Sequence, residues 1–120
     1  MDDSAAIQGV WQIVKAELSG EEMPKFVAEK IEVQLDAGNY TVRFDGEISD
    51  RGTYALDPSL PLKTLLLSGE EGSNVGRQIP AIYQLVGDRL RICYGLDGVA
   101  PDAFATSGEQ KRYLAIYRRT

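Results

Sequence analysis

Ile79-Pro80-Ala81-Ile82-Tyr83-Gln84-Leu85-Val86-Gly87-Asp88-Arg89-Leu90-Arg91-Ile92-Cys93-Tyr94 reads as one long β-hairpin. Gly87-Asp88 is a two-residue turn of the kind that matches strand twist, with glycine supplying the positive φ. A two-residue loop fixes the register. Leu85 then faces Leu90, Tyr83 faces Ile92 and Ala81 faces Tyr94, so one face is wholly apolar or aromatic. The other face carries Val86, Arg89, Gln84 and Arg91 near the turn, with Ile82 and Cys93 farther away. A slip of one residue would turn every apolar side chain to the wrong face. The hairpin predicts a curved antiparallel sheet.

The same pairing logic extends outward. Residues 31–36 and 40–45 alternate cleanly about a turn at Ala37-Gly38-Asn39. Placing Leu35 opposite Tyr40 also sets Val33 opposite Val42 and Ile31 opposite Phe44. Ahead of them, a short helical turn capped by Asp3 or Ser4 precedes a strand from Gly9 to Leu18. The apolar parity of that strand switches near Ile13-Val14, as a β-bulge requires. A turn at 19–22 and a helical turn after Pro24 lead into the hairpin at 31–45. Residues 48–56 and 62–68 form two further strands. Gly52 suggests a bulge or tight corner, and Leu65-Leu66-Leu67 is too uniformly apolar for its faces to be assigned. Loops fall at 57–61, 69–76 and 95–108, and the last strand spans 110–119. About eight short strands with turns between them indicate an all-β sandwich or an antiparallel up-and-down barrel. Consecutive hairpins without a long crossover favour the barrel.

With 120 residues, the chain fits a single domain over 1–120. Its net charge of −5 argues against nucleic acid, which needs a basic footprint. One cysteine permits no internal disulfide. The acidic start, Met1-Asp2-Asp3-Ser4, has none of the features of a signal peptide, and no apolar run is long enough to cross a membrane. As written, the chain reads as cytoplasmic. There is no histidine. That removes Ser-His and Cys-His nucleophile activation and histidine-based metal sites. No enzyme activity, cofactor or metal is expected.

Four segments carry a family resemblance. They are Gly9-Val10-Trp11-Gln12-Ile13-Val14, Gly52-Thr53-Tyr54-Ala55-Leu56-Asp57-Pro58, the hairpin from Ile82 to Tyr94, and Leu114-Ala115-Ile116-Tyr117-Arg118-Arg119. Gly9-Val10-Trp11 resembles the G-x-W signature of lipocalins. Together the segments are similar to an uncharacterised lipocalin-like domain family of the calycin type, best known from planctomycete bacteria. That family shows a G-T-Y strand, an I-Y-x-L-x-G-D-x-L-x-x-C hairpin and a closing strand ending in arginine. The resemblance implies a lipocalin-like barrel of about eight strands and no established activity. The family's loop Arg-Pro is here Ala100-Pro101. In lipocalins a basic residue of the last strand packs over the tryptophan, which points to Arg119, with Arg118 second, as the partner of Gly9-Val10-Trp11 in closing the barrel.

Trp11 reads as a plug at one end, and Cys93 as a buried, inert thiol. Tyr40, Tyr54, Tyr83 and Tyr94 could share one interior, either as packed core or as the wall of a pocket for a small apolar or amphipathic ligand. The open end is then the one opposite Trp11, rimmed by residues 19–22, 45–47, 69–76 and 95–108, with Phe104 tucked inward as a candidate lid. The alternative is a filled barrel whose surface binds another protein.

Overall fold

The computed structural model describes residues 3–59 and 61–120. Met1 and Asp2 of the acidic start, and Leu60 of the 57–61 loop, lie outside the described residues. The described elements are α1 (Asp3–Ala6), β1 (Gly9–Leu18), β2 (Glu21–Glu22), α2 (Lys25–Ala28), β3 (Ile31–Asp36), β4 (Asn39–Phe44), β5 (Glu47–Asp57), β6 (Thr64–Gly72), β7 (Gln78–Val86), β8 (Arg89–Gly95) and β9 (Arg112–Arg119). Neighbouring strands pair antiparallel from β3 round to β9, and β1 pairs with both β3 and β9. The sheet therefore closes into an eight-stranded, lipocalin-like up-and-down barrel, and β2 is a short extra strand on the edge of β1.

Both hairpin registers follow from the sequence. Leu85 pairs with Leu90, Tyr83 with Ile92 and Ala81 with Tyr94. Leu35 pairs with Tyr40, Val33 with Val42 and Ile31 with Phe44. The turns at Ser19-Gly20, Ala37-Gly38 and Asp45-Gly46 have positive φ at both residues. This mirror-image turn carries the right-handed twist of its flanking strands. The expected break in β1 is a bulge between Ile13 and Lys15, which leaves Val14 outside while Trp11, Ile13 and Ala16 all point inward. In β6 the unassigned leucines resolve into Leu65 and Leu67 inside and Leu66 outside. The turn read at 19–22 ends in β2, and β6 runs four residues into the loop expected from 69.

Strand direction gives the barrel two unlike ends. The lower end holds the start of β1 and the end of β9. Below Trp11, the turn after α1 buries Ile7 completely, and the Trp11 indole donates to the Ile7 carbonyl at 2.8 Å. The Arg119 guanidinium lies 4.2 Å above the Trp11 ring and donates to the carbonyls of Gln8 and Ala6, each at 2.6 Å. Asp88 of the β7–β8 turn completes this cluster at 3.3 Å from the guanidinium. Gly9 is required here: its φ is +141°, and a side chain would run into Arg119. Arg118 is exposed beside Gln12 and Arg89, so the closing residue is Arg119.

Two bulges shape the opposite wall. One lies between β4 and β5 at Val42/Arg43, the other between β5 and β6 at Arg51/Gly52. At Gly52 the β6 backbone comes so close that a Cβ would overlap the Ser68 carbonyl oxygen. Gly52→Ala should therefore cost about 1–3 kcal/mol by overpacking, since backbone atoms cannot swing aside. Urea denaturation reads this directly, and an unchanged midpoint would contradict the close approach.

Candidate functional site

The upper half of the barrel contains a cavity of about 240 Å³. Its walls are apolar: Val33 and Leu35 of β3, Leu65 and Leu67 of β6, Ile79 of β7 and Ile92 of β8. Each comes from the inward parity of its strand, so the pattern that builds the core also builds the cavity. Phe44, Ser49, Ser73, Asn74 and Leu96 reach it from the rim. These residues lie at the strand ends far from Trp11. The cavity thus opens opposite the plug.

Aromatic hydroxyls line part of the wall. Tyr94 stacks on Tyr113 with ring centroids 5.4 Å apart, and its hydroxyl shares a 2.7 Å hydrogen bond with that of Tyr117. Burial raises the pKa of all three phenols, pushing Tyr113 up to about 12. They are neutral donors and acceptors at any ordinary pH.

One carboxyl group stands inside. Asp50 of β5 is 7% exposed and lines the cavity. Its Oδ2 accepts from the Asn74 amide at 2.8 Å and from the Tyr40 hydroxyl at 3.3 Å. The Asn74 oxygen accepts from Arg77 at 3.1 Å, which turns the amide nitrogen towards Asp50. Burial first, and then the Asp50 carboxyl and Glu70, raise the pKa of the Tyr40 phenol. The other Asp50 oxygen, Oδ1, is buried and makes no hydrogen bond. Sequence reading passed over Asp50, although it shares the parity of Gly52 and Tyr54 in the same strand. That parity was the available signal.

The five tyrosine and phenylalanine candidates separate. Tyr40 and Tyr94 both line the cavity. Tyr54 is half-buried against the core beside the β3–β4 turn, where its amide donates to the Gly38 carbonyl. Tyr83 is buried at the lower end, and its hydroxyl donates to Asp3 at 2.9 Å. Phe104 is not tucked inward and forms no lid. It lies on the outer face against Ile82, Cys93 and Leu114, with the Arg91 guanidinium 3.9 Å from its ring centroid. The 95–108 connection covers an apolar outer patch there and leaves the mouth uncovered by that ring. Cys93 belongs to this patch. Its thiol points to the Ala105 carbonyl, and burial pushes its pKa up.

Comparison with protein-family models, curated proteins and solved structures finds no match. The candidate site therefore rests on its own geometry. Among the described residues no cluster of three potential metal ligands occurs, and no helix is long and apolar enough to cross a membrane.

Proposed function

We propose that this chain is a lipocalin-like binding module, non-catalytic, that holds a small apolar or amphipathic molecule in the upper half of its barrel. The observation that carries this reading is the cavity of about 240 Å³, apolar below and open to the rim. Ligand sites combine apolar walls with a few placed polar groups, and typical volumes start near about 300 Å³, so the occupant is compact. The chain has no histidine to activate a nucleophile, and its net charge of −5 disfavours nucleic acid. The resemblance to the planctomycete lipocalin-like family supports the barrel alone, and we assign the chain to that family as part of the proposal.

The test is titration with Nile red, a neutral dye whose fluorescence rises in apolar surroundings. One dye molecule should bind per chain. Val42→Trp, which places an indole into the cavity wall, should weaken binding about tenfold or more, equivalent to about 1.4 kcal/mol. Phe104→Ala, outside the barrel, should leave it unchanged. Absence of dye uptake by the folded wild type would instead favour a filled barrel that acts through its surface.

A further inference from the structure

We infer that the ligand carries a protonated amine, and that Asp50 is the group that recognises it. This assignment rests on the ligand-binding reading above and names the chemistry of its occupant.

A carboxyl oxygen buried without a donor costs free energy, because the water it has lost is not replaced. In the folded chain Asp50 Oδ1 is such an atom, and it belongs to a residue that lines the cavity. The surroundings show that this is a constructed position. Bulges on both sides of Asp50, one against β4 and one against β6, keep it on the inward face where the two neighbouring strands change register. Its other oxygen is fixed by two donors, Asn74 and Tyr40, and Asn74 is itself held by Arg77. Three side chains thus orient one oxygen and leave the second, though buried, without a donor.

The local charge selects what that oxygen accepts from. No cation among the described residues forms an ion pair with Asp50. Arg51 is paired with Glu71 at 3.1 Å, and Arg77 is taken up by Asn74 and the Leu96 carbonyl. Glu70 adds to the negative field felt at Tyr40. A ligand carboxylate would meet like charge here. An alcohol would supply one neutral donor, and an ammonium supplies a charge-assisted one, which is roughly twice as strong. Position along the barrel agrees. Asp50 lies towards the mouth, beside Ser49 and Asn74, whereas Leu35 and Leu65 lie deeper. An amine with a short apolar body places its head at Asp50 and its tail on the leucines.

Competition against bound Nile red with octylamine, octanol and octanoate tests the assignment on the whole chain. Octylamine should displace the dye at a concentration about tenfold or more below octanol, as expected for a hydrogen bond to a charged group. Octanoate should be the weakest competitor. In Asp50→Asn the amine should lose this advantage over octanol, each competitor being referred to the Nile red affinity measured for that variant. Wild-type protein that takes octanol or octanoate as well as octylamine would overturn the assignment, whether or not the variant folds. So would an Asp50→Asn protein that keeps the preference. If Nile red binds and the three competitors are equal, the amine assignment alone fails. If Nile red does not bind, the ligand-binding reading fails and takes the assignment with it.

Discussion

Trp11→Ala is expected to lower stability by about 3–5 kcal/mol, the range for removing a fully buried large aromatic side chain. The indole is completely buried, so truncation leaves a void at the base of the barrel. It also strips the Ile7 carbonyl of its donor and the Arg119 guanidinium of its ring. For a chain of this size the melting temperature should fall by roughly 10–20 °C. A double-mutant cycle between Trp11→Phe and Arg119→Ala isolates the contact between them. A coupling of about 0.5–1 kcal/mol is expected for a guanidinium over an aromatic face. Zero coupling would mean that the 4.2 Å contact holds nothing together.

The second large effect is at Tyr83. It is 2% exposed, faces Ile92 across the β7–β8 hairpin and reaches down to α1, where its hydroxyl donates to Asp3. Tyr83→Ala should cost about 3–5 kcal/mol. Tyr83→Phe keeps the ring and should cost only about 0.5–1.5 kcal/mol, the usual net value of a hydrogen bond. The smaller variant carries a pH signature. The Lys63 ammonium, 2.9 Å from Asp3, is the main group holding that carboxyl below its ordinary value of 3.8, and Tyr83 adds to it against the effect of burial. A depressed carboxyl contributes stability that is present above its unfolded value and is lost as the pH falls through the folded one. The gap between wild type and Tyr83→Phe should therefore persist at neutral pH and narrow below about pH 3.8. Urea midpoints measured across that range check it, and a gap that is constant down to low pH would exclude the Asp3 contact.

What the sequence made legible was the pairing of strands. The two-residue turn at Gly87-Asp88 fixes the register of 79–94, and the apolar alternation fixes that of 31–45, although Asn39, read as part of the turn, is the first residue of β4. The triple leucine was illegible because an all-apolar run has no polar member to mark the outside. Its faces emerge only from the register with its neighbours, where Leu65 lies between Leu56 and Ala81 and Leu67 between Tyr54 and Ile79. Phe104 was misplaced for a reason visible in hindsight. The hairpin register already put Ile82 and Cys93 on the outer face, and Leu114 pairs beside Cys93. An apolar patch outside a barrel needs a cover, and the long connection that carries Phe104 supplies it. Asp50 escaped because a carboxyl at an inward position reads as an exception to burial until its three supporting residues are seen together. Asn74 lies in a loop whose path the sequence leaves open, and Arg77 lies beyond it. The network could not be assembled from spacing alone.

The seam between β1 and β9 has a consequence in time. β1 receives β2 and β3 along one edge, but its other edge pairs with β9, from Trp11↔Arg119 to Leu18↔Tyr113. Within the barrel, β1 is thus completed by β9, which is synthesised roughly a hundred residues later. At about 5–20 residues per second, β1 waits on the order of ten seconds for its partner. Throughout that interval residues 11–18 present an unpaired edge to other nascent chains. Of the side chains exposed along it, Lys15 alone is charged, while Val14 and Leu18 are apolar, so the edge is lightly protected until β9 arrives. Wrong pairing is therefore easiest before β9 emerges, and closure of the seam ends that hazard.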